Sequence, residues 1–81
     1  LDGAECKIEL ICDNELMGNI IDRFGEKVCT EVVDAGHFKV TTTVDLSNNF
    51  YGWIFASAGK IQIKAPIEAI NGFRKLIQCW K

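Results

Sequence analysis

Nine consecutive residues, Phe38 to Leu46, alternate without a slip: Phe38, Val40, Thr42, Val44 and Leu46 fall on one side, Lys39, Thr41, Thr43 and Asp45 on the other. A period of two marks a β-strand with one buried and one wet face. Such a strand does not stand alone. It needs neighbours in a sheet and a second layer over its apolar side, and 81 residues leave room for one two-layer domain. An apolar fraction of 48% with a net charge of −2 excludes intrinsic disorder. No apolar run approaches the roughly 20 residues of a bilayer span, so no membrane partner is expected. A domain this small buries only about 60 to 65% of its unfolded surface and gains from contact with other protein surfaces. The chain starts at Leu1, and its single methionine is Met17. It reads as one domain, residues 1–81, cut from a longer protein.

The other elements follow from the same periodicities. Cys6 to Cys12 alternates, with Ile8, Leu10 and Cys12 on one face and Lys7, Glu9 and Ile11 on the other, predicting a first strand. Asp13 or Asn14 is placed to cap a helix carrying Leu16, Met17, Ile20, Ile21 and Phe24, with Gly25 as its stop. Val28 to Val33 reads as a second strand, and Asp34-Ala35-Gly36-His37 as the turn into the alternating segment. Ser47, Asn48 or Asn49 caps a second helix, apolar almost all round, that runs through Phe50, Tyr51, Trp53, Ile54, Phe55 and Ala58 to Gly59. Lys60 to Ala65 is a fourth strand, ended by Pro66. A last helix then carries the stripe Ile70, Phe73, Ile77 and Trp80. The order βαββαβα, with two right-handed crossovers joined by a hairpin, predicts an α+β fold. It is a ferredoxin-like βαββαβ sandwich with an antiparallel four-stranded sheet and an extra C-terminal helix. One face of that sheet is left for solvent or a partner.

Chemistry-bearing motifs are absent. An isoelectric point near 5.2 and two arginines, Arg23 and Arg74, point away from direct duplex binding. The cysteines, Cys6, Cys12, Cys29 and Cys79, form no C-x-x-C pair, and the lone histidine, His37, lies near none of them in sequence, so no metal site is expected. Cys6 and Cys12 on one strand would stand roughly 20 Å apart, beyond disulfide reach. The expected state is reduced thiols in a cytoplasmic protein. No Gly-rich phosphate loop or dinucleotide fingerprint is present. His37 falls in a turn and receives no catalytic role. RNA-recognition domains of this topology stack bases on aromatics of a central strand, whereas the wet side of the third strand offers only Lys39, Thr41, Thr43 and Asp45. Copper carriers of this topology use a C-x-x-C loop that this chain lacks. No catalytic residue, metal or cofactor is expected.

The run Phe50-Tyr51-Gly52-Trp53-Ile54-Phe55, then Gly59, Ile61 and Ile63, then Pro66, resembles the C-terminal extension of WYL-domain transcriptional regulators. Ile21-Asp22-Arg23-Phe24-Gly25 is similar to the end of that family's first helix, and Gly36 to Val44 to its glycine turn and following strand. The resemblance extends from about Ile8 to Ile77. Ala56-Ser57-Ala58, Ala65 and Ala69 depart from the family's usual larger residues or glycine. The resemblance implies a C-terminal fragment of a regulator whose missing N-terminal winged helix-turn-helix binds DNA. A central WYL domain would sense a nucleic-acid or nucleotide-like effector, and this domain would support dimerisation and ligand gating.

Two site assignments compete. In the first, apolar excess on the second and last helices forms an oligomer interface of Phe50, Tyr51, Trp53, Phe73 and Trp80, against a second copy or the partner subunit's WYL domain. The competing place for these aromatics is the core, to which Trp53 and Phe55 are assigned first. In the second, Arg23, with Lys39 or Arg74, meets a phosphate or carboxylate of a small-molecule or nucleotide effector.

Overall fold

The computed structural model describes residues 5–79. The elements run β1 (Glu5–Asp13), a 3-10 turn (Asn14–Leu16), α1 (Met17–Phe24), β2 (Cys29–Asp34), β3 (His37–Asp45), α2 (Asn48–Ala56), β4 (Ile61–Ala65) and α3 (Ile67–Cys79). The sheet order is β2-β3-β1-β4 and every neighbouring pair is antiparallel. This is the α+β, ferredoxin-like arrangement expected from the order of elements. Among the described residues no helix is long and apolar enough to cross a membrane.

Register carries the alternation across strands. Leu10 lies opposite Val40 and Ile63, and Cys12 opposite Phe38 and Ile61. One face of three strands is thereby apolar, and Ile8, Leu10, Cys12 and Val40 are completely buried there. Helix α1 contributes Ile20, and α2 contributes Phe50, Tyr51 and Ile54. Full burial of each such aliphatic side chain is worth about 1.5 to 3 kcal/mol. The β2 strand escapes this layer. Helix α1 has only eight residues, about 12 Å of axis, and all six β2 residues remain exposed, Val32 at 81%.

Several local expectations need correction. Neither Asp13 nor Asn14 caps α1 with its side chain; the 3-10 turn intervenes, and Asn14 Nδ2 donates instead to the Ala35 carbonyl at 2.9 Å. Ser47 does cap α2, its Oγ accepting from Phe50 N–H at 3.2 Å. That helix ends at Ala56 rather than Gly59. The Ser57 hydroxyl donates to the Ile54 carbonyl at 2.6 Å and accepts from Ile61 N–H at 3.2 Å, and the chain reverses through Ala58 (φ 56°) and Gly59 (φ 88°). In α3 the inward stripe is rotated from the expected one. Ala69 is fully buried and Phe73 and Leu76 pack on the core, while Ile77 is 41% exposed. The cause is the approach of α3 to α2: Gly72 faces the Tyr51 phenol so closely that a Cβ there would overlap it. The missing side chain of Gly72 lets α3 come close to the Tyr51 ring of α2. Trp80 lies outside the described residues.

Candidate functional site

The proposed aromatic interface separates into buried and exposed parts. Phe50 and Tyr51 lie in the core, at 3% and 8% exposure, so neither offers its ring to a partner. Trp53 and Phe73 are half-buried. Tyr51 and Phe73 rings sit 5.9 Å apart, Phe50 and Trp53 6.1 Å, and Phe24 meets Trp53 edge-on at 5.6 Å. Phe55, assigned to the core from sequence, is instead 52% exposed. Residues 51 and 55 lie four apart on adjoining parts of the helix surface, and Phe73 of α3 packs on Tyr51 with ring centres 5.9 Å apart.

Phe55 lines an apolar groove of about 660 Å³ between α2, β4 and α3. Ile54, Ile61, Ile63, Ile70, Phe73 and Ile77 line it, with Gln62 and Arg74 as its polar members. The groove follows from the rotation of α3. Turning Ala69 and Leu76 toward the core leaves Ile70 and Ile77 facing a space beside the edge strand β4.

The three candidate cations do not converge. Arg23 lies with its guanidinium carbon 4.4 Å from the Trp53 ring centre and 6.0 Å from that of Phe24, a cation–π arrangement at the end of α1. It also lines a shallow cleft with Asp45, Ser47 and Asn49. Lys39 is on the helix-free face of the sheet, its Nζ 3.3 Å from Glu31 and 3.9 Å from Glu9. Arg74 belongs to the groove. A single anion site built from Arg23 and Lys39 is excluded, because the sheet stands between them.

The helix-free face also holds an arrangement centred on His37, which the sequence reading left without a role. His37 pairs in register with Asp13 on β1 and Asp34 on β2. Its Nδ1 is 2.8 Å from Asp34 Oδ1 and its Nε2 is 3.3 Å from Asp13 Oδ1. Asp34 Oδ1 also accepts from Gly36 N–H at 2.8 Å, which shapes the two-residue turn. Hydrogen bonding to Asp34, then its charge, raises the His37 pKa above the ordinary histidine value, and the same bond lowers that of Asp34. Sequence spacing could have shown Asp34 three residues before His37. Asp13 is 24 positions away, and only strand register brings it in.

Burial, with the Asp13 charge second, pushes Cys12 up to about 11, far from the thiolate range. Among the described residues no group of three or more His, Cys, Asp or Glu side chains is placed to hold a metal ion. Comparison with protein-family models, with curated proteins and with solved structures finds no match to this chain.

Proposed function

We propose that this chain is a non-catalytic interaction domain, the C-terminal oligomerisation and effector-gating part of a WYL-type transcriptional regulator of the cytoplasm. DNA contact would belong to a separate N-terminal domain, in keeping with an isoelectric point near 5.2. The observation that carries the reading is the apolar groove of α2, β4 and α3, with Phe55 and Ile77 at 52% and 41% exposure. Contiguous apolar surface of this kind marks protein contacts. Its position supports the resemblance as well, because the helix that forms one wall is the Phe50–Phe55 run. The occupant we assign is a second copy of the chain.

Light scattering over a wide concentration range tests this. A molar mass near twice 9.1 kDa is expected, with Ile77→Asp returning it to the monomer value while the circular dichroism spectrum stays unchanged. A monomer at every concentration overturns self-association.

A second reading, effector binding at Arg23, is favoured by the guanidinium lying over Trp53 beside Ser47 and Asn49. Titration with nucleotides and single-stranded oligonucleotides, following Trp53 emission in a Trp80→Phe background, is expected to give a saturable change that Arg23→Gln removes. A flat response eliminates it.

A further inference from the structure

His37 faces an acceptor at each of its ring nitrogens. A neutral imidazole carries one N–H and one lone pair, so it can donate to only one of two carboxylates and turns its lone pair toward the other. Only the imidazolium carries a proton on both nitrogens, so that it donates to Asp34 at 2.8 Å and pairs by charge with Asp13 at 3.3 Å. The two contacts also differ in span: Asp34 is three residues away on the same hairpin, whereas Asp13 ends β1 and leads into α1. We infer that the β2–β3 turn is held to the end of β1 by a proton-operated clasp, in which the His37 imidazolium bridges Asp34 and Asp13.

Loss of that proton to water breaks no bond between heavy atoms. The remaining N–H stays on Nδ1, where the contact is shorter and the partner local, and the Nε2 side releases Asp13. The shared proton is therefore a tie between β1 and the hairpin, not merely within the hairpin.

The surroundings fit a single-proton device. From β1 the imidazole meets Asp13, from β2 it meets Asp34, and from the turn before β4 Lys60 shares the same small pocket. Lys60 is itself engaged by Glu15 at 2.6 Å, which offsets its charge. Neutral ties cross the same junction: Asn14 N–H donates to the Gly36 carbonyl at 3.0 Å, and Asn14 Nδ2 to the Ala35 carbonyl at 2.9 Å. Deprotonation consequently loosens the turn rather than unfolding it. His37 is the one histidine of the chain, so the transition is assignable without ambiguity. The inference is independent of the proposed function.

Nuclear magnetic resonance titration of the 81-residue chain tests it. The His37 ring is expected to titrate above the ordinary value of about 6.5, and the Asn14 and Gly36 amide shifts are expected to move with the same midpoint. Asp13→Asn should lower that midpoint and uncouple the Asn14 amide while Gly36 still responds. Asp34→Asn should lower the midpoint further, its amide oxygen still accepting from Gly36. A wild-type midpoint at the ordinary value overturns the clasp, as does an Asn14 amide that ignores His37 or a midpoint unmoved by Asp13→Asn.

Discussion

The helix-free face of the sheet carries two bases of β3, each set between two carboxylates of the neighbouring strands. Lys39 stands between Glu9 and Glu31, and His37, at the end of the sheet, between Asp13 and Asp34. Of the two side-chain types, imidazole is the one whose charge ordinarily changes near neutral pH. Two carboxylates thus flank a lysine in one place and an imidazole one pleat away, in register with the imidazole on both sides and diagonal to the lysine on one. Both differ from the opposite face, where Ile8, Leu10 and Val40 are held by exclusion of water and no charge enters. The comparison separates three ways of joining the same strands: burial, ion pairing through lysine and ion pairing through histidine.

The largest effect should come from crossing the sheet by one residue. Leu10→Ala removes a fully buried side chain in the middle of β1 and should cost about 2 to 5 kcal/mol. Ile11→Ala, its neighbour on the wet face, should cost less, about 1 kcal/mol, because that side chain is only partly buried. Urea unfolding of the two variants measures the difference, and equal losses would break the two-face description. Next in size, Lys39→Gln should cost about 1 kcal/mol or less, with a salt-sensitive part, since its nearer carboxylate partner, Glu31, is well exposed and Glu9 is 3.9 Å away.

The smallest effect is the pH response of His37 and its two carboxylates. A raised histidine pKa contributes stability that is fully present below the ordinary value near 6.5 and is lost as pH rises through the folded-state value. Stability should therefore decline on passing from pH 6 to pH 8, and His37→Asn should flatten the profile while Lys39→Gln leaves its slope intact. At the acid end the sign reverses. The lowered Asp34 pKa contributes stability above its ordinary carboxylate value, lost as pH falls through the folded-state value.

Much of the fold was legible before any coordinates. The alternation of Phe38 to Leu46 and of Cys6 to Cys12 placed two strands, and β3 and β1 are adjacent in the sheet with Ile8, Leu10, Cys12, Phe38 and Val40 buried as the pattern required. The Ser47 cap and the αL reversal at Gly59 are local devices written in short stretches of chain. The site was less legible. Tyr51 and Phe55 are similar aromatics on a helix with little amphipathic contrast, and no rule of spacing ranks one above the other. Burial of Tyr51 depends on Gly72 and Phe73 of α3 arriving over it. The groove has the same origin, since it is the space left when Ala69, rather than Ile70, turns toward the core.

The sequence by itself determined the kinds of element, their order and the buried side of the central strands, because period, capping and turn chemistry act over a few residues. Tertiary structure alone decided which helix faces meet, which aromatics stay on the surface, and that Asp13 comes to His37. Those outcomes depend on strand register and helix approach, which arise from the packing of segments far apart in the chain and leave no mark on any one of them.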